Sequence, residues 1–155
     1  MQYLIDGHNL IPKVGLRLEQ LDDEYELLKR LQEFCRLRRD RVEVYFDAAA
    51  PGFAGSRKVG VVTAHFIHQG ASADSAIEAR LIKMKKSARN WTVVSSDARV
   101  QRSAAAAHAG TMLAEDFAAE MSRVERLAGL KSRPDPVLSP EEVEKWMTLF
   151  EKRGR

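Results

Sequence analysis

The stretch "YLIDGHNLI", residues 3–11, sets the pattern by which the fold of this chain is interpreted. It begins with an apolar run, Tyr3 to Ile5, which stops at an acid, Asp6, just before a glycine. A short apolar run bounded by turn-forming residues is consistent with a buried β-strand. We therefore predict a strand over residues 2–5. Asp6 at its end is either a turn residue or the first part of a functional site.

The same pattern returns along the chain, where strand-like runs alternate with segments that have the periodicity of amphipathic helices. Further strands are predicted over residues 41–48, 61–67 and 91–97, with a short edge strand at residues 111–113. Helices are predicted over residues 23–38, 73–88, 98–108 and 113–127, and a loop over residues 48–60. This alternation favours an α/β fold in which helices cover both faces of a parallel sheet.

Three of the predicted strands end on an aspartate, namely Asp6, Asp47 and Asp97. A fourth aspartate, Asp74, lies in the first turn of the helix predicted over residues 73–88, which starts at the same edge of the sheet. Taken singly, each acid has an ordinary explanation as a turn, loop, helix-capping or helix-dipole residue.

Taken together, the four aspartates predict a metal site. Ligands of open α/β sheets bind at the carboxyl ends of the strands. Carboxylates that converge there repel each other, and they stay ionised only if a cation compensates them. Oxygen ligands of this kind suit Mg²⁺ or Mn²⁺. Asn9 follows Asp6 closely enough to orient a carboxylate or a water beside the cluster.

Such a site is suited to hydrolysis of a phosphodiester, because the metal holds a phosphate oxygen, activates water and stabilises the leaving oxygen. The chain has 25 Lys and Arg against 22 Asp and Glu, which favours an anionic partner such as nucleic acid. Candidate phosphate contacts are Arg57 and Lys58 in the predicted loop, and Arg99 and Arg102 just after Asp97. A solvated surface explains these four cations equally well.

Other features narrow the class of protein. Cys35 is the only cysteine, which excludes a disulfide framework and suits a cytoplasmic protein. No stretch approaches the ~20 apolar residues of a membrane helix, so no membrane partner is expected. No glycine-rich nucleotide loop follows the first strand, so no small-molecule cofactor besides a metal is expected. His8 and His65 lack the spacing of zinc ligands and are interpreted as packing residues.

Four segments carry a family resemblance. "LIDGHNLI" (4–11), "VYFDA" (44–48), "GASADSAIEARL" (70–81) and "VVSSDARVQRSA" (93–104) resemble, in this order, the motifs of the YacP-like branch of the NYN domains. NYN domains belong to the PIN-like nuclease superfamily. The resemblance covers about residues 1–127 and implies a three-layer α/β/α sandwich, whose mainly parallel sheet would have about five strands here.

The resemblance also implies an activity, that of an endoribonuclease dependent on Mg²⁺ or Mn²⁺. Asp6, Asp74 and Asp97 would be the metal-binding acids, with Asn9 beside them in the catalytic site. Asp47 matches a further strand-end position in the metal site. The implied substrate is RNA, above all mRNA, with the ribosome as a partner. The alternative function is a non-catalytic RNA- or ribosome-binding module.

The end of the chain lies outside these motifs. Residues 128–155 are predicted to be a linker followed by an amphipathic helix over residues 140–152. The simpler interpretation is that this helix packs back on the domain over residues 1–127, and the other is that it docks a partner.

Overall fold

A computed structural model of the chain describes residues 1–16, 21–49 and 52–129. The strands are β1 Gln2–Asp6, β2 Arg41–Ala49, β3 Gly55–Val59, β4 Val62–His68, β5 Thr92–Val94 and β6 Gly110–Met112. The α-helices are α1 Gly7–Leu10, α2 Leu21–Arg38, α3 Ala73–Met84, α4 Ala98–Ala106 and α5 Ala114–Gly129. Short 3₁₀ helices follow α1 at Ile11–Val14 and α3 at Lys85–Asn90. The helix predicted over residues 140–152 lies outside the described residues.

The strands form one sheet in the order β3-β4-β2-β1-β5-β6. Only β3 runs antiparallel to its neighbour, β4. The chain builds outward from β1 on one side, through β2 and β4, and then returns to place β5 on the other side of β1. The strand order therefore reverses between β1 and β5, and open α/β sheets bind ligands in the crevice at such a point.

Alternate side chains of β1 enter two different cores, as the alternating geometry of a strand requires. Tyr3 and Ile5 face the layer that contains α2 and α5, together with Phe34 and Phe117. Leu4 faces the opposite layer, formed by α3 and α4. Helices thus cover both faces of the sheet, and the predicted three-layer α/β/α sandwich is confirmed.

The structure corrects several predicted boundaries. The sheet has six strands rather than about five, because the segment predicted as a loop contains β3. β5 is only three residues long, so Asp97 lies beyond it and not at its last residue. α3 ends at Met84, where Lys85 takes a positive φ of 54° and the chain continues as a 3₁₀ helix. Gly7 does not open a turn after Asp6 but begins α1.

Glu43 joins the middle of the sheet to α3. Its side chain is 12% exposed, and it accepts hydrogen bonds from Arg80 Nε and Nη2 at 3.0 and 2.9 Å. Tyr45 Oη donates to it at 3.1 Å, and His65 Nε2 lies 3.3 Å away. His65 also stacks on the Tyr45 ring. The predicted packing role of His65 agrees with these contacts.

Cys35 lies on α2 with 1% of its surface exposed, in the core between α2 and the sheet. Burial, and then the charge of Asp40, raises the pKa of its thiol to about 12. The thiolate is the reactive form. We therefore expect Cys35 to resist iodoacetamide at pH 8 in the folded protein and to react once the protein is unfolded in urea. Rapid alkylation of the folded protein would contradict this burial.

Among the residues that the structure describes, no helix is long and apolar enough to cross a membrane.

Candidate active site

Asp6 ends β1, the strand at which the sheet order reverses. Its neighbours are Tyr45 on β2 and Ser95, which directly follows β5. The carboxyl group is buried, with 6% of the residue exposed, and Ser95 Oγ donates to its Oδ2 at 3.4 Å. Burial raises the pKa of Asp6 to about 6, helped by the negative charges of Asp74 and Asp47. Asp6 therefore lies in surroundings that disfavour its charged form.

Asp74 and Asp47 meet where α3 begins. Ser72 caps this helix by accepting from the backbone N–H of Ser75, and Asp74 follows in the first turn. The side chain of Asp47 accepts a hydrogen bond from the backbone N–H of Ala73, which ties β2 to the start of α3. Burial, and then the charge of Asp97, raises the pKa of Asp74. The negative charges of Asp97 and Asp47 therefore act on the Asp74 carboxyl from other elements of the fold.

Asp97 is the N-cap residue of α4, so its predicted capping role is real. Its Oδ1 accepts from the backbone N–H of Arg99 at 2.8 Å, and its own N–H donates to Ser95 Oγ at 3.1 Å. Ser95 thus connects Asp97 to Asp6. Asn9 adds a second connection, since its Oδ1 accepts from the backbone N–H of Ser96 at 2.8 Å. α1 and the chain after β5 are held together beside the acids.

Gly7 allows α1 to start directly against the sheet. A Cβ at this position would lie 2.4 Å from Phe46 Cε1 and 2.9 Å from the carbonyl oxygen of Tyr45. Real Cβ atoms do not approach this closely, so only glycine fits between Asp6 and His8.

Replacing Gly7 by Ala is expected to lower the free energy of unfolding by about 1–3 kcal/mol, because the added methyl overpacks this contact. The contact of Asn9 with Ser96 should be lost as well, since α1 would move and carry Asn9 with it. Urea denaturation measures the first effect. The control is Gly129→Ala at the end of α5, where a Cβ meets nothing within 4 Å. Equal stability of the two variants would contradict the tight packing of Gly7.

His8 and Glu24 form a pair close to Asp6. The packing of His8 was predicted from the sequence, but its contact with Glu24 was not. His8 was predicted to pack, and its ring centroid lies 5.6 Å from that of Phe46. Its Nε2 also lies 2.7 Å from Oε2 of Glu24, which is 3% exposed. Glu24 gave no signal in the sequence, because an acid in the first turns of an amphipathic helix is usually solvated.

The four predicted phosphate contacts have different surroundings. Arg57 lies on β3 and not in a flexible loop, and its guanidinium lies 4.6 and 5.3 Å from the ring centroids of Phe53 and Phe66. Lys58 follows it on the same edge strand and is exposed. Arg102 is exposed on α4.

Arg99 is the predicted cation nearest the acids, and it is already paired. Its Nε donates to Glu78 Oε1 at 2.8 Å, and Ser103 Oγ donates to the same oxygen at 3.1 Å. Glu78 on α3 is therefore paired with two residues of α4. The hydroxyl of Ser96 likewise donates to a distant residue, Glu115 on α5. Contacts between such distant parts of the chain have no local sequence signal.

The residues present fit a hydrated divalent cation. Within the described residues, no group of three or more His, Cys, Asp or Glu side chains forms a ready metal cage. Mg²⁺ seldom uses one, because it keeps several waters and takes one or two carboxylates from the protein. The raised pKa values of Asp6 and Asp74 reflect repulsion and burial that a bound cation would relieve.

Comparison with known families identifies the fold that carries this acidic crevice as a nuclease-type domain. The model of the YacP-like NYN domain matches residues 3–150. Because this match spans nearly the whole sequence, the chain belongs to the YacP-like NYN domain family. The resemblance inferred from the four motifs is confirmed. The family match continues past residue 127, where those motifs end, and the division into 1–127 and 128–155 stays a prediction.

Solved structures share the fold. The structure of Rae1 (YacP) from Bacillus subtilis has a TM-score of 0.70 and 21% identity, covering 98% of this chain and 89% of that one. A point mutant of the same protein gives a TM-score of 0.68 and 22% identity, covering 99% of this chain and 95% of that one. A search of curated proteins finds no match.

Proposed function

We propose that this chain is an endoribonuclease that depends on Mg²⁺ or Mn²⁺. The observation that carries the proposal is the acidic crevice at the carboxyl end of β1, where burial, Asp74 and Asp47 raise the pKa of Asp6 to about 6. A carboxylate held in its less favourable charged state is a common property of functional sites. Membership of a nuclease-type family supports the reaction class.

Asp6 and Asp74 are the first ligands that we assign to the cation, with Asp47 and Asp97 beside them. When bound, a divalent cation supplies Lewis-acid activation of water and of the phosphate. The protein supplies the positions. Ser95 holds Asp6 and the backbone of Asp97 together, and Asp47 fixes the start of the helix that carries Asp74.

The role that we assign to Asn9 is to position neighbouring groups and not to react with the substrate. Its side-chain oxygen accepts the backbone N–H of Ser96 and so fixes the chain between β5 and α4. Its backbone N–H lowers the pKa of the Asp6 carboxyl, against the effect of burial. We assign mRNA as the substrate, the ribosome as a partner and the cytoplasm as the compartment, in keeping with the family resemblance.

The proposal is tested by incubating wild-type protein and Asp74→Asn with a mixture of RNAs, with Mn²⁺ and with EDTA. Cleavage is expected only for the wild type with Mn²⁺, and a loss of roughly 10³-fold is typical when a single transition-state contact of this kind is removed. The control is Asp116→Asn on α5, an exposed acid of equal charge. Undiminished cleavage by Asp74→Asn would refute the site. RNA binding without cleavage by the wild type would favour the non-catalytic module.

A further inference from the structure

A second feature of the surface is a groove between α3 and α4, with a volume of about 450 Å³. One end of the groove is formed by Glu78 and Ser103, the residues that hold Arg99. The other end is lined by Lys85, Lys86, Arg89 and His108. The groove therefore starts beside the acidic site and leads to a cluster of basic side chains.

The positive charge of this groove has no neighbouring counter-charge within residues 1–16, 21–49 and 52–129. Among the described residues, no acid lies within ion-pair distance of Lys85, Lys86 or Arg89. The single acid in the described lining, Glu78, is already paired with Arg99. Elsewhere on the surface, cations such as Arg36 and Arg123 have carboxylate partners one turn away. A groove that keeps its positive charge attracts a polyanion.

Two basic residues of the groove have costly backbone conformations. Lys85 has a φ of 54° and His108 a φ of 62°, values that residues with a Cβ seldom adopt. They follow the ends of α3 and α4, where glycine is the usual residue at positive φ. Lys85 and His108 take these conformations at a cost in free energy, which an interaction with a ligand would offset.

The groove also has apolar surface beside the cations. Ile82 is 76% exposed, although it lies on a helix whose other large apolar residues are buried. The imidazole of His108 lines the same end. Proteins that bind single-stranded nucleic acids combine a positively charged groove with ring side chains on which bases stack, and the His108 ring is the candidate for this contact here. The combination fits a single strand better than an acidic protein, which would need no surface for bases.

We propose that the groove between α3 and α4 binds the phosphate backbone of single-stranded RNA that extends away from the acidic site, an inference that rests on the proposed function. Asp74 lies in the first turn of α3 and Met84 ends it, so about 15 Å of helix separates the acids from the basic end. A stacked strand covers this length with about four nucleotides at roughly 3.4 Å each.

The test is the binding of a fluorescent ten-nucleotide RNA in EDTA, so that no cleavage takes place. The variant is K85A/K86A/R89A, and the control R39A/R41A/R126A removes three exposed cations elsewhere, which also have no ion pair among the residues described. We expect the groove variant to bind about tenfold more weakly at 0.1 M salt. Its plot of log affinity against log salt should be less steep by about 2, because each phosphate contact on a single strand contributes about 0.7.

The outcomes separate this proposal from the proposed function. The proposal is refuted if the groove variant keeps the wild-type RNA affinity and salt dependence, or if both triple variants lose RNA affinity equally. Either result would mean that the groove does not bind RNA, whatever the result for cleavage. If the wild type binds RNA through the groove and cuts nothing with Mn²⁺, RNA binding by the groove is supported and the nuclease assignment is refuted. The single variant Lys86→Glu provides a second check, because it reverses one exposed charge outside α3 and leaves the core intact. It should also weaken binding.

Discussion

Replacing Asp6 by Asn is expected to abolish RNA cleavage and, in the same protein, to increase stability in the absence of metal. Cleavage is lost because the carboxylate assigned to the cation is gone. Stability rises because burial, Asp74 and Asp47 raise the pKa of Asp6 from 3.8 to about 6 in the folded state. The folded protein therefore holds an ionised Asp6 at a cost, and a neutral side chain of the same shape removes that cost.

The sign of the pH dependence follows from this shift. Between pH 3.8 and about 6 the folded state binds a proton at Asp6 that the unfolded state has released, so wild-type stability falls as pH rises through this interval. Above it, Asp6→Asn should be more stable by about 3 kcal/mol, because each unit by which the pKa rises from 3.8 to about 6 corresponds to about 1.36 kcal/mol. Below pH 3.8 the two proteins should be equally stable, since Asp6 is then protonated in both states.

Urea denaturation at pH 7.5 and pH 3.5 measures this difference, first in EDTA and then in Mg²⁺. A cation that binds only the folded wild type should remove the advantage of the variant, by about 2.7 kcal/mol when its concentration is 100 times its dissociation constant. Asp116→Asn is the control and should shift stability by less than about 0.5 kcal/mol. A variant less stable than the wild type at pH 7.5 would show that Asp6 is not held in repulsive surroundings.

Replacing Glu43 by Gln is expected to destabilise the protein by about 3 kcal/mol, because it leaves a partly buried Arg80 without its charged partner. Glu43 is 12% exposed and accepts bonds from two Arg80 nitrogens and from Tyr45. Burial raises the pKa of Glu43, but His65, Arg80 and Tyr45 outweigh it and lower the pKa to about 2.

The Glu43 carboxyl affects the pH dependence of the free energy of unfolding in the opposite sense to Asp6. A pKa lowered from 4.5 to about 2 means that its stabilisation is complete above pH 4.5 and is lost as pH falls from there towards 2. The matched control is Glu33→Gln, which breaks an exposed two-bond pair with Arg36 on α2 and should cost less than about 1 kcal/mol. If both variants lose the same stability at pH 7, or if Glu43→Gln shows the wild-type acid transition, the coupling of β2 to α3 through Glu43 is refuted.

The three-layer arrangement of helices and sheet could be predicted from the sequence, because hydrophobic periodicity is a local signal. Runs such as residues 41–48 alternate between two cores and so identify central strands. β3 was missed because Gly55 to Lys58 is polar and glycine-containing, as suits an edge strand with little buried surface. Its pairing with β4 is decided by that neighbour and not by its own composition.

The acids of the candidate site could be recognised in the sequence, but the hydrogen bonds and ion pairs that connect them could not. Asp6, Asp47 and Asp74 carry a signal because acids that follow strands or begin helices are visible in the sequence. The hydroxyl of Ser95 that joins Asp6 to Asp97, and the pairing of Arg99 with Glu78, depend on contacts between segments far apart in the chain. The position of Arg99 beside Asp97 therefore gave no sign of its pairing with Glu78.

The order in which the site residues occur along the chain has a consequence for biosynthesis. Asp6 is made before β5, which pairs with β1, and before Asp97, which follows β5. A nascent chain that ends before β5 has the first acid but no crevice. Under the proposed activity, a chain still being translated is harmless to the message that encodes it until the last strands of the sheet have emerged.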